Sequence, residues 1–502
     1  METRPSSGGQ ETYTQILKST ALIGGSSLIN VAFAIIRNKA MALLLGPAGV
    51  GLIGLYSSIA DIAHAFAGVG IQASGVRQIA EAAGSGDTAR VALTATILKR
   101  TSVVLGLLGA LLLAAFAWPI AQFTFGDQGY AGGVALLSAA ILLRLLADGQ
   151  IALIQGMRDI ASLSRINVFG AFFSTVISIP LVYFFGASAI VPSLVAVAAA
   201  SLAICWWYGR QIRVSPASMS VRQVRQETTA LLQLGVVFMI SGILTLGAAY
   251  AIRIIVLRAE GFSAAGLYQA AWTIGGLYAG FILQAMGTDF YPRLTAVADD
   301  DAECNRLVNE QAQISMLLAA PGLIATLTAA PLVMRLFYSP EFYGAVDVLR
   351  WICLGMMLRI VAWPMGFIVL AKGAKGVFFW TEVSATLVHV GLAWLLVREI
   401  GSVGAGAAFF GLYVWHAMLI YLIVRRLSGF RWSVANRKLA MIFLPASGVV
   451  FGALVLLPFW QAIWIGIVAA TLSGVYSLLR LLELVPPTSL AAAIRARRSK
   501  SA

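Results

Sequence analysis

Charge is what this chain has least of. Asp, Glu, Lys and Arg make up 11% of its 502 residues, against 60% hydrophobic residues; a soluble globular protein carries about 25% charged residues. That shortage excludes a water-soluble enzyme or binding module and points to a membrane protein of many spans. Acidic residues are the scarcer sign, 21 against 35 Lys plus Arg, for a formal net charge of +14. Cysteine is nearly missing. Cys205, Cys304 and Cys353 are isolated and odd in number, which suits neither a disulfide framework nor a zinc site and leaves them as small buried packing residues. Catalytic signatures are missing too: there is no HExxH and no GxSxG, and "GPAGVG" at 46–51 lacks the Gly-Lys-Ser/Thr of a P-loop. No cofactor and no metal are expected. The polar start "METRPSSGGQETYTQ" leads into an apolar stretch too long for a signal h-region, without a small-residue cleavage site, so no cleavable signal is expected either.

What is present is apolar length. Runs of about 20 apolar residues, enough to cross a bilayer as a helix, recur along the whole chain. They place spans at 17–45, 50–74, 92–117, 132–156, 166–186, 189–208, 231–257, 264–288, 310–335, 346–371, 377–397, 402–424, 440–458 and 461–480. Backbone groups in lipid must be satisfied within their own element, and runs this long fit helices rather than barrel strands. The expected fold is all-α and polytopic, with about fourteen transmembrane helices and both termini on one side. Placing the N-terminus in the cytoplasm puts the cation-rich segments inside, including Arg77, Arg158, Arg210, Arg213, Arg222, Lys372, Arg425 and the tail "RARRSKSA". The opposite loops "FTFGDQGYAGG" and "FYSPEFYGA" then hold almost no cations, as the positive-inside rule asks. The basic segments are expected to touch anionic lipid headgroups, not nucleic acid.

The chain also repeats itself. Shifted by 215 residues, "VGLIGLY" (50–56) meets "AGLYQAA" (265–271), Arg144 meets Arg359 and Gly186 meets Gly401. Six spans separate equivalent points, so the copies keep one orientation. Parallel repeats of this kind are a transporter architecture, with the substrate path between the halves. The expected domains are an N-lobe at 1–213, a C-lobe at 228–427, an extra helix pair at 438–482 and a basic tail at 483–502.

Several charges fall inside spans. Arg37 and Lys39 interrupt "AIIRNKAMALLLGPAGVGLIGLY" (34–56), and Arg144, Arg253 and Arg359 lie in later spans. A charge at mid-membrane costs about 3 kcal/mol or more, so each must face protein or a wet cavity. Arg37 lies nine residues before Gly46, about 13 Å along a helix and so near mid-depth. Lys39 stands about 200° around the helix from it, so the two cannot share one cavity. The sequence leaves open which one lines it. Arg144 and Asp148 are four apart on one helix face and can pair; Arg258, Arg335 and Arg350 are expected to snorkel to the interface. After such pairing the deep set holds more cations than acids, which suits an anion, and arginine binds phosphate bidentately. Asp61, Asp148, Glu382 and His389 are candidates to carry a coupling proton or sodium ion, Glu382, Thr386 and His389 forming one polar stripe; a satisfied buried contact is the plainer alternative for each. Asp289 is expected to cap a helix or pair with Arg293. Tyr56, Tyr250, Tyr268, Trp272 and Trp363 are able to stack on sugars, although interfacial packing explains them as simply. The glycines, including the GxxxG at 276–280, are expected to let helices approach closely.

The stretches "LLLGPAGVGLIGLY", "FGDQGYAGG", "LIQGMRDIASLSRINV" and "DFYPRLT" resemble Wzx-type flippases for lipid-linked oligosaccharides, within the multidrug/oligosaccharidyl-lipid/polysaccharide exporter superfamily. The resemblance covers about residues 15–427, and the last two spans resemble those of its fourteen-span members. It implies a V-shaped pair of six-helix lobes in the bacterial inner membrane, alternating between cytoplasmic and periplasmic openings. The implied substrate is an O-antigen or related repeat unit on undecaprenyl pyrophosphate, its headgroup crossing a cationic cavity while the tail stays in lipid. Polysaccharide polymerase and chain-length machinery are implied partners. The family's first-span cation is carried onto Lys39 or Arg37; Arg144, Arg253 and Arg359 rest on the charge argument alone. A cation-coupled multidrug exporter of the same superfamily is the alternative, and a polysaccharide polymerase or ligase the remoter one.

Overall fold

The computed structural model describes the backbone of residues 7–212, 221–285 and 290–484, with most side chains from Ile29 on. Among the described residues every regular element is a helix. Asp289, the link at 213–220, the side chain of Arg222 and the basic tail lie outside them. In chain order the helices are α1 (Ser7–Gly68), α2 (Ile71–Gly84), α3 (Thr88–Ala115), α4 (Ala117–Phe125), α5 (Ala131–Gly156), α6 (Ile160–Phe185), α7 (Ile190–Gly209) and α8 (Val221–Ala285). They continue as α9 (Tyr291–Ala296), α10 (Asp301–Thr328), α11 (Ala330–Phe337), α12 (Ala345–Ala371), α13 (Lys375–Ile400), α14 (Val403–Ser428), α15 (Val434–Leu456) and α16 (Phe459–Leu484). Among the described residues eleven helical segments are long and apolar enough to cross a membrane, so the chain is a multi-pass membrane protein. Three of these segments, Ile29–Gly68, Ile160–Gly209 and Gly242–Leu277, are interrupted at Gly46, at Gly186–Ala189 and at Gly261. The fourteen spans read from the sequence divide each of the three in two.

The interruptions have a local cause. Gly46 takes φ 63° and ψ −172° inside α1, directly before Pro47. Proline disfavours helical geometry in the residue before it, and only glycine adopts this left-handed φ without a Cβ clash. Gly261, 215 positions later, breaks α8 with φ 85° and ψ −175°. The same spacing relates Gly186 (φ 59°) to Gly401 (φ 65°), and Arg158 (φ 57°) to Gly373 (φ 66°). The repeat is therefore written in backbone geometry as well as in residues. Its register is not uniform. α3 and α10 are both 28 residues long and both open on an aspartate cap, Asp87 accepting from Arg90 N and Asp300 from Glu303 N, yet they stand 213 positions apart. The fixed spacing of 215 slips by two there and recovers by α6 and α13.

The chain divides into two compact units. Unit 1 comprises the described residues up to Leu257 with Phe337–Ser339; unit 2 comprises Arg258–Leu336 and the described residues from Pro340 on. In unit 1, α5 packs against α3, α7 and α2, while α1 lies along α6. The core there joins Tyr56 and Ile59 of α1, Leu113 of α3, Leu137 and Ile141 of α5 and Ile190 of α7. In unit 2, α12 packs on α14 and α10, and α13 on α14. The extra pair α15 and α16 packs on α10, where a side chain on Gly466 would collide with Thr328. Asn309 of α10 pins the preceding loop, donating to the Arg431 carbonyl at 3.1 Å and accepting from Ser433 N at 2.8 Å.

Three expectations need adjusting. Gly276 and Gly280 face open space, whereas a side chain on the neighbouring Gly275 would collide with Ile352 of α12; the close approach uses one glycine beside the GxxxG pair, because that glycine lies on the face of α8 turned to Ile352. Arg350 does not snorkel: it is buried, and its Nη1 pairs with Asp347 Oδ1 at 3.0 Å one helical turn away. Arg258 and Arg335, by contrast, are exposed. The cysteines are free and buried, as packing residues should be.

Because Gly46 holds a left-handed φ, Gly46→Ala is expected to cost about 1–2 kcal/mol. Gly448→Ala, which adds a methyl into open space on α15, should not destabilise. Melting temperatures of the two variants in detergent check the difference.

Candidate functional site

Partly buried charges of unit 1 sit on the faces that α1 turns to α6 and α5. Along α6, Phe33 meets Phe172 edge-on at 5.7 Å, and Thr175 Oγ1 donates to the Phe33 carbonyl at 3.4 Å. One turn further on, Arg37 Nη1 donates to Ser174 Oγ at 2.6 Å. Ser174 is buried, and no carboxylate among the described residues stands within ion-pair distance of Arg37. Lys39 points elsewhere, as the helical angle between the two requires, and Nζ donates to the Tyr338 carbonyl oxygen. Both cations are thus met by neutral oxygen atoms. Arg253, half-buried on α8, belongs to the same unit and is engaged with neighbours.

Further along α1 the charges are answered in pairs. Arg144 Nη1 meets Asp61 Oδ1 at 2.9 Å, and His64 Nε2 meets Asp148 Oδ2 at 2.6 Å. Asp61 and His64 are three apart on α1; Arg144 and Asp148 are four apart on α5. The four side chains form two rungs joining the helices. The pairing of Arg144 with Asp148 along α5 is therefore replaced by pairing across helices. Asp61 stands within reach of Arg144 and His64 within reach of Asp148, so both members of the same-helix pair are already engaged across to α1. Arg144 also drops out of the cationic excess, since Asp61 neutralises it. Beside these rungs an apolar cavity of about 580 Å³ is lined by Ile59, Phe66, Leu108, Leu112, Phe116 and Tyr250, among others. It suits hydrocarbon and offers nothing to a phosphate.

Arg359 belongs to unit 2, where α12, α13 and α14 converge. Its guanidinium lies 4.5 Å from the Trp363 ring centre and 5.7 Å from that of Tyr413, a cation–π arrangement in place of an ion pair. Glu382, His389, Tyr413 and His416 all lie close enough to feel its charge. Glu382 and His389, the coupling candidates of the α13 stripe, are thus brought to Arg359, while Asp61 and Asp148 are committed to the rungs of unit 1. Ser174, Tyr413 and His416 were not singled out in the sequence. The polar spacing of Tyr413 and His416, three apart in an apolar helix, was a readable signal; Ser174, one hydroxyl among many, carried none.

The fold and these sites define a class before they define a family: a helical membrane protein with an internal repeat and charges held between its helices. Solved structures of the same fold include an inward-facing multidrug resistance MATE family transporter of the MOP superfamily, 18% identical with a TM-score of 0.67, covering 82% of this chain and 96% of that one. Another is the lipid II flippase MurJ in an inward closed conformation, 12% identical with a TM-score of 0.64, covering 93% and 100%. In sequence, the Lipid III flippase of Escherichia coli (strain K12) is 24% identical over 424 residues, 82% of this chain and 99% of that protein. Residues 40–347 match the family described as polysaccharide biosynthesis protein, and this chain belongs to that family. The resemblance read from the sequence is borne out.

The two-rung ladder makes its own prediction. Because both side chains of the Asp61–Arg144 pair are more than a third exposed, its coupling is expected at about 1 kcal/mol rather than the larger value of a sealed pair. A double-mutant cycle of Asp61→Asn and Arg144→Gln, read by thermal unfolding, measures it, whereas Arg144→Gln with Asp148→Asn should be additive.

Proposed function

We propose that this chain is a flippase that moves an undecaprenyl-pyrophosphate-linked oligosaccharide, an O-antigen or related surface repeat unit, across the bacterial inner membrane. In this reading it works by alternating access from the cytoplasmic to the periplasmic leaflet, with both termini cytoplasmic, and performs no chemistry on its cargo. Polysaccharide polymerase and chain-length machinery are its downstream partners. Family membership supports the reading, as do the lipid-linked substrates named for the E. coli relative and for MurJ. The single observation that carries it is Arg37. A guanidinium inside an apolar helix that donates to a serine hydroxyl, with no carboxylate among the described residues at ion-pair distance, is open to an anionic group that arrives from outside the protein. Pyrophosphate is such a group, and the planar guanidinium fork matches its oxygens. Lys39, two residues on, points to the Tyr338 carbonyl and is given no contact with the pyrophosphate.

The test is flipping of a fluorescent undecaprenyl-pyrophosphate-linked oligosaccharide in proteoliposomes. Loss of a charge-assisted contact slows such a step by about 10- to 100-fold, so Arg37→Ala should fall by that factor and Arg37→Lys by less. An Arg37→Ala variant that flips at the wild-type rate would refute the role given to this cation. Wild-type liposomes that expel a cationic dye and do not flip the lipid would favour a drug exporter.

A further inference from the structure

Unit 2 holds a group of polar side chains that the pyrophosphate reading does not use. Arg359 Nε, His389 Nε2 and His416 Nδ1 are buried without a hydrogen-bond partner, and Glu382 makes no hydrogen bond to another described residue. His389 is 6% exposed and Tyr413 8%, so they form a floor. Arg359, Trp363, Glu382 and His416 stand partly exposed around them. The floor is braced by aromatic contacts, His389 to Phe409 at 5.7 Å and Phe409 to Tyr413 at 5.0 Å. Leaving three buried polar atoms unpaired in one place costs free energy that a folded protein ordinarily avoids. A partner with matching donors and acceptors would complete the cluster.

The chemistry of the groups narrows what that is. Hydrocarbon would leave every one of them unpaired. Pyrophosphate wants an excess of cationic groups, yet here the one guanidinium, Arg359, has the Glu382 carboxyl beside it. Among the described residues no group of three His, Cys, Asp or Glu side chains could hold a metal ion, and a guanidinium beside the cluster repels cations. A sugar ring fits each requirement: its hydroxyls both donate and accept, and its apolar C–H faces rest on aromatic rings such as Trp363 and Tyr413.

We propose that the Arg359–Glu382–His389–His416 cluster, on the aromatic bed of Trp363 and Tyr413, is the glycan-recognition site of this protein and takes a neutral, hydroxyl-rich sugar of the headgroup. Glu382 turns away acidic sugars by like-charge repulsion, so the site selects among glycans as well as holding them. The proposal rests on the flippase reading and adds to it the class of sugar and the residues that choose it.

The experiment measures equilibrium binding to the full chain in lipid nanodiscs. Its probes are bare undecaprenyl pyrophosphate, the same carrier bearing a glucose-, galactose- or N-acetylglucosamine-based neutral disaccharide, and the carrier bearing a disaccharide that ends in a uronic acid. One well-made hydrogen bond to a buried polar group is worth about tenfold in affinity, so at least one neutral glycan should bind about tenfold more tightly than bare carrier. In His389→Phe and Arg359→Met that difference should vanish, the two probes binding alike. Glu382→Gln should bring the uronic-acid probe level with the neutral one. Should His389→Phe fail to fold, His416→Ala on the partly exposed rim replaces it with the same expectation. Wild-type protein that binds bare and glycosylated carriers equally across the whole panel overturns the proposal while leaving the flippase reading standing, as does a folded variant that keeps the full glycan gain. Failure to bind even the bare carrier overturns the flippase reading and this one with it.

Discussion

A bilayer interior offers no water, and that one constraint organises this protein. Any charge placed there must be answered by the protein or by what the protein carries. The chain meets the demand in three ways. Asp61, His64, Arg144 and Asp148 answer one another across α1 and α5. Arg359 spreads its charge over aromatic rings. Arg37 has a hydroxyl where an acid would otherwise be expected. The first arrangement ties two helices together; in the last two no carboxylate among the described residues stands at ion-pair distance from the guanidinium. Function is sought where the internal accounts stay open.

The internal repeat shows what the two copies share and where they part. Left-handed turns recur at fixed spacing, Gly46 with Gly261 and Gly186 with Gly401, because chain reversals inside long apolar helices tolerate few residue types. The side chains placed on that common frame are different. Position 144 holds an arginine that is paired, and position 359 an arginine that is not. At the second reversal of unit 2, Glu260 accepts a hydrogen bond from Ser402 N at 2.7 Å; the equivalent position in unit 1 is Leu45, which packs beside Ala189. Duplication preserved the joints and freed the side chains between them.

Much of the fold was legible before any coordinates. Uniform apolar runs can only be helices in lipid, so class and approximate boundaries followed from length and composition, and Gly46 before Pro47 marked its own break. The GxxxG at 276–280 misled because spacing alone does not say which stripe of α8 meets α12; the stripe in contact contains Gly275. Arg350 misled for a related reason. Its distance from the helix end suggested reach to the interface, but the packing around α12 left Asp347, one turn back, as its partner.

What the sequence determined by itself is everything that depends on one helix at a time: the all-helical membrane architecture, the breaks, the duplicated frame and the list of charges that bilayer energetics makes costly. Tertiary structure alone decided which of those charges meet. Asp61 and Arg144 are 83 residues apart, as Arg37 and Ser174 are 137 apart, and no local spacing brings such residues together. Their meeting depends on which face each helix turns to its neighbour, a property of the packed unit and not of any single span.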